Sequence, residues 1–124
     1  MVQTNKKNVI FAFGKQFNSN FMNQQIFREI QTLKRQILPN EKVILFGSQA
    51  RGDAKPDSDW DLLVLLNKEK RNFIEDYDKY AYPFAELGIK YDTYISAKVY
   101  TIRDWKSHPS IFKYNVEQEG IEVV

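Results

Sequence analysis

Apolar residues return every three to four positions between about Phe21 and Leu38, where Ile26, Ile30, Leu33 and Ile37 form one stripe with Phe27 and Leu38 beside it. That spacing predicts an amphipathic helix, ended by Pro39. A different rhythm follows. Val43 to Phe46 is a short, partly β-branched apolar run leading into Gly47, and Asp59 to Leu66 becomes continuously apolar after Asp61, as a strand buried on both faces does. Helical spacing resumes between Lys68 and Leu87, with Phe73, Ile74, Tyr77, Tyr80 and Ala81 on the expected inner face and Gly88 as the stop. Ile89 to Ile95 alternates and is rich in Tyr, Thr and Ile, which predicts a third strand. From about Thr101 to Gln118, Trp105, Ile111, Phe112 and Val116 predict one or two short helices ended by Gly120. The expected order is helix, strand, turn, strand, helix, strand, helix. Burying those apolar faces calls for an α/β fold with a small mixed β-sheet flanked by helices.

Length and composition narrow the function more than the fold. The 124 residues suffice for one domain with a core, but not for separate catalytic and substrate domains. No internal repeat or linker is visible, so residues 21–124 read as the domain and residues 1–20 as an extension. That extension is rich in Asn, Gln and Lys around the apolar patch Val9 to Phe13, and fits an extra strand, a docking segment or a tail. The longest apolar runs are five residues, against about 20 for a spanning helix and about 7 to 15 for a signal-peptide core, so a soluble, cytoplasmic protein is expected. A net charge of +2 provides no overall field to hold nucleic acid or an anionic membrane. Only Lys68 to Arg71 clusters basic residues, which argues against nucleic acid as a direct ligand. Without cysteine there are no disulfides, thiolate zinc sites or thiol nucleophiles, and the lone His108, before Pro109, reads as a turn residue.

The chemistry is concentrated in Val43 to Leu66, which reads VILFGSQARGDAKPDSDWDLLVLL. Residues two apart on a strand share a face, so Asp59 and Asp61 present two carboxylates together at the entrance of a hydrophobic element. Bare, they repel each other; Mg²⁺, a hard cation bound through a few carboxylates and substrate phosphates, offsets that repulsion. Gly47-Ser48 suits such a neighbour, because glycine admits close backbone approach to a phosphate while amides and a hydroxyl donate to it. The alternative is a solvated strand entrance with Gly47-Ser48 turning the chain and capping a short helix. A Walker A loop is excluded by its missing Gly-Lys-Ser/Thr. Arg51 suits either phosphate or a pairing with Asp53 or Asp57, and Ser58 either a ligand contact or a cap.

Gly47-Ser48, ten residues, then Asp59 and Asp61 resembles the minimal nucleotidyltransferase domains of the DNA polymerase beta superfamily, as do Ala50-Arg51-Gly52, Ser58 and Leu62-Leu63-Val64. Asp92 stands where that family places a third carboxylate, and Asp104-Trp105 through Glu119-Gly120-Ile121 resembles its carboxyl end. The resemblance implies a metal-dependent transfer of a nucleoside monophosphate, AMP from ATP, to a hydroxyl. Asp59, Asp61 and Asp92 would be the catalytic, metal-holding residues for two Mg²⁺ ions, with Gly47, Ser48, Arg51 and Ser58 on the nucleotide. Members of this size often act as antitoxins beside a HEPN-domain toxin, which implies a toxin tyrosine as acceptor. Two other readings stay open: a module that neutralises its partner by masking it, and transfer to a small molecule or an RNA end. The seven Tyr and nine Phe favour an interface of some kind.

Overall fold

The computed structural model describes residues 21–124, and its sheet is built around the run that is apolar on both faces. That run is β2 (Trp60–Leu66), flanked by β1 (Lys42–Phe46) and β3 (Ile95–Thr101), with β4 (Ile121–Val123) beyond β1. The order is β3-β2-β1-β4; β1 runs antiparallel to β2 and β4, and β3 parallel to β2, so the sheet is mixed. A parallel neighbour needs a crossover, which the helical segment between β2 and β3 supplies.

The alternation of β2 divides the core in two. Trp60, Leu62, Val64 and Leu66 join Val43, Leu45, Ile95, Val99 and Val123 on one face, covered by Ile26 and Ile30 of α1 (Phe21–Ile37) and Phe84 of α4 (Tyr82–Lys90). Leu63 and Leu65 join Phe46 on the other face, under Trp105 of α5 (Ile102–Ser107) and Val116 of α6 (Ile111–Glu119). Asp61 continues the Leu63–Leu65 row past the end of that second core, opposite Phe46 in register. A carboxylate is thereby held on a wall of packed side chains. Each closing helix has a side-chain cap: Thr101 accepts from the Asp104 amide at 3.1 Å and Ser110 from the Lys113 amide at 3.0 Å.

The crossover begins at α3 (Phe73–Asp76), not at Lys68, and passes through a π-helical turn, Tyr77–Ala81, before α4. Pro83 accounts for that turn: it has no amide to donate and its ring clashes with the carbonyl four residues back, so the preceding turn widens and Tyr82 donates to Tyr77 instead. The extra residue rotates the helical face. Ala81 and Phe84 point inward, whereas Phe73, Ile74 and Tyr77, expected inside, are 73%, 77% and 51% exposed.

Helix α4 also overruns its predicted stop. Gly88 lies inside it, and the chain folds back so that a Cβ at Gly88 would stand 2.7 Å from the Thr93 carbonyl. The glycine permits a tight return rather than a helix end at that residue. The strand expected over Ile89 to Ile95 is therefore displaced: β3 starts where that segment finishes, and Asp92 sits in the turn before it. β4 had no counterpart in the sequence reading. The readings of residues 1–20 lie outside the described residues. No helix among those described is long and apolar enough to cross a membrane.

Candidate active site

β1 delivers the chain to Gly47, and α2 (Ser48–Arg51) is the single turn that follows. Gly47 has φ 80°, and a Cβ there would run into the Asp61 carboxyl, so only glycine lets the loop pass this close to the acid. The polar excursion is fastened internally. The Lys55 amide donates to the Ser58 hydroxyl at 2.8 Å, and the Gln49 side chain donates to the Ser58 carbonyl at 3.2 Å. Ser58 thus closes the turn from Lys55 with its hydroxyl and amide while also lining the cleft.

These elements enclose an open cleft of about 470 Å³ at the end of the second core. Gly47, Ser48, Arg51, Ser58, Asp59 and Asp61 line it, which brings together six of the seven residues singled out from sequence. Asp92 is not among the lining residues. It is exposed, in a turn with φ 53° just before β3, so the strand expected to carry it is displaced, and its place as a third carboxylate rests on the family resemblance alone. The observed register sets Ser96 beside Asp61 and Lys98 beside Leu63, so β3 offers a hydroxyl and a cation on the face where a third acid was expected.

Five lining residues were not among those singled out for the site: Phe46 at the end of β1, and Phe112, Asn115, Val116 and Glu119 on α6. Glu119 accepts from the Gly47 amide at 2.7 Å and from Arg51 Nη1 at 3.2 and 3.3 Å. Arg51 also donates through Nε to Asp53 at 3.3 Å, the pairing weighed as an alternative to phosphate. A signal for Glu119 was present. An acid in the last turn of a helix faces the negative end of the helix dipole, and α6 carries no base there, so its charge calls for a partner elsewhere.

Asp61 is half-buried, and its carboxyl is pushed above the usual range by burial and then by the charge of Asp59, against the pull of Lys98 and Arg51. This is the electrostatic signature of an acid pair awaiting a positive charge. Two carboxylates at a cleft fit Mg²⁺, which binds through one or two carboxylates and completes its shell with water and substrate phosphates. Among the described residues no group of three Asp, Glu, His or Cys side chains is arranged to hold a metal alone. The pair therefore fits a cation shared with a phosphate ligand, not one enclosed by protein.

A family model described as a nucleotidyltransferase domain matches residues 24–117, most of the chain. The chain belongs to that nucleotidyltransferase family. A relative in Methanocaldococcus jannaschii, the candidate protein adenylyltransferase MJ0141, is 36% identical over 101 residues, covering 77% of this chain and 89% of the relative. A toxin-antitoxin crystal structure with AMP-PNP superposes with a TM-score of 0.56 at 21% identity, covering 79% of this chain and 72% of the other. A Sulfolobus solfataricus nucleotidyltransferase candidate matches at 0.55 and 19% identity, over 90% and 89% of the two chains. The nucleotidyltransferase thus has the polymerase beta-like α/β fold expected from its motif.

The glycine of the motif gives a sharp test in this nucleotidyltransferase. Gly47→Ala forces a methyl group into the Asp61 carboxyl at a φ that L-residues avoid. That backbone conformation, φ 80° and ψ −161°, alone costs a residue with a Cβ on the order of 1–3 kcal/mol. We expect a lower melting temperature and a loss of transfer of about 100-fold or more, since both the acid and the loop must move. Wild-type kinetics in this variant would show that the close approach is dispensable.

Proposed function

We propose that this protein is a Mg²⁺-dependent adenylyltransferase that moves AMP from ATP to a tyrosine hydroxyl of a HEPN-domain toxin, and so acts as its antitoxin. The observation that carries the reading is the convergence of Gly47, Ser48, Arg51, Asp59 and Asp61 on one cleft. The AMP-PNP in the toxin-antitoxin neighbour and the name of the M. jannaschii relative support an adenine nucleotide and a protein acceptor.

In this mechanism Asp59 and Asp61 would hold Mg²⁺, which when bound would stabilise charge on the oxygens of the in-line displacement. The remaining roles belong to the chain. Gly47 and Ser48 hold the leaving phosphates through backbone and hydroxyl donors, and Arg51 offsets their charge. The packed wall of Phe46, Phe112 and Val116 limits water at one side of the cleft.

The account also dispenses with Asp92. Asp92→Asn, which tolerates the same left-handed backbone, should leave transfer within about twofold of wild type. A loss comparable with that of an Asp59 or Asp61 variant would restore Asp92 to the site.

The finer claim is tested by peptide mapping of the toxin after incubation with ATP, Mg²⁺ and this protein. Modification at tyrosine supports the reading, and modification only at other residues contradicts the acceptor. A masking role has one observation in its favour: Phe73, Ile74, Tyr77 and Tyr82 stand exposed along the crossover, with the Tyr77 and Tyr82 rings 6.5 Å apart. If the Asp59→Ala, Asp61→Ala double variant still neutralises the toxin while changes at those side chains do not, masking is the mechanism.

A further inference from the structure

The Gly47 amide and the Arg51 guanidinium are the donors that the proposed reading assigns to the leaving phosphates, and both already hold an anion. Glu119 Oε2 lies 2.7 Å from the Gly47 nitrogen, and the same carboxylate meets Arg51 Nη1 at 3.2 and 3.3 Å. An amide N–H directed at one oxygen at that distance has no second full hydrogen bond to give. A phosphate oxygen seeking the Gly47 amide must therefore displace Glu119.

Charge points the same way. Glu119 stands at the carboxyl end of α6, where the helix dipole disfavours an acid and no base lies in the last turn. Its negative charge also bears on Asp61, pushing that carboxyl further up beside Asp59. Three acids thus face a cleft whose nearby cations are Arg51 and Lys98, and Arg51 is shared with Asp53 as well. The carboxylate is held by the same two donors a phosphate would use, and by nothing from its own helix.

We propose that Glu119 is an internal occupant of the phosphate-facing part of the cleft, and that a nucleoside triphosphate binds by expelling it from Gly47 and Arg51. The inference rests on the nucleotide reading of the cleft. It makes Glu119 a brake on nucleotide affinity and a strut for the empty loop at once. These two roles predict opposite signs when the residue is changed.

The test is the affinity of the full chain for AMP-PNP with Mg²⁺, and for inorganic pyrophosphate, by calorimetry, alongside thermal melts without ligand. Glu119→Gln keeps an oxygen for the Gly47 amide and removes the charge; Glu119→Ala removes both. Both variants should melt below wild type yet bind AMP-PNP more tightly, by about tenfold for the glutamine variant, the scale of one charged hydrogen bond. Tighter binding with lower stability supports expulsion. Equal or weaker binding by both folded variants, with wild type still binding, overturns it and leaves the nucleotide reading intact. If neither wild type nor the variants bind AMP-PNP or pyrophosphate, the nucleotide reading fails and this inference with it.

Discussion

Asp61→Asn should lower nucleotidyl transfer by a factor on the order of 10³, the loss of several kcal/mol of charge stabilisation, while raising the melting temperature of the ligand-free protein. The second half follows from the site's electrostatics. Burial and then Asp59 push the Asp61 carboxyl up, so the fold holds that proton more firmly than the unfolded chain does. Its ionisation is thus a cost to the fold: stability is highest below the unfolded-chain value and declines as pH rises from there through the folded value. Asparagine cannot ionise and removes the cost. The gain in melting temperature should be present at pH 7 and shrink towards pH 4. Melts at both pH values check it, and a variant less stable than wild type at pH 7 would contradict the reading of a strained acid pair.

Asp76→Ala carries the largest expected stability effect. Asp76 is buried at the start of the π-helical turn, where its carboxylate accepts from Lys68 at 2.6 Å, Arg71 at 3.2 Å and the Asn72 amide at 2.9 Å. Arg71 in turn donates to the Val99 carbonyl on β3, so this one acid ties the crossover to the sheet. Removing one partner of a buried pair costs about 3–5 kcal/mol, and the partial exposure of Lys68 favours the lower end. A fall in melting temperature on the order of 10 °C follows. Burial pushes the Asp76 carboxyl up, but the Lys68 hydrogen bond, the Asn72 amide, the charge of Lys68 and Arg71 outweigh it and leave it below the usual range. Its contribution is therefore complete above the unfolded-chain value and lost as pH falls through the lowered one. Wild type should lose stability in acid more steeply than Asp76→Ala, which titration of melting temperature with pH reads directly. The same network answers the Lys68–Arg71 cluster: two of its cations are turned onto Asp76.

The site was legible in sequence where its cause is local. Gly47 must be glycine because Asp61 stands against it, and Asp59 and Asp61 flank Trp60 at the entrance of a strand buried on both faces. Both requirements leave marks within about 24 residues. What was misread depends on residues that act at a distance. Tyr, Thr and Ile around Asp92 have strand propensity, but Gly88 lets α4 continue to Lys90 under the Thr93 carbonyl, which moves the start of β3 to Ile95 and leaves Asp92 in the turn before it. Pro83 widens the turn before it and reverses the expected burial of Phe73, Ile74 and Tyr77. Glu119 enters the cleft from 72 positions beyond Gly47, so its place at the end of α6 marks it as an acid in need of a partner while nothing local names Gly47 as that partner.

The most direct measurement of the central claim is intact mass. The toxin and this protein are incubated with ATP and Mg²⁺, and both chains are weighed beside a control with Asp59→Ala and Asp61→Ala. The account predicts that the toxin gains one or more AMP units with wild type and none with the control. A toxin that stays at its native mass in a stable complex with the wild-type protein would contradict it.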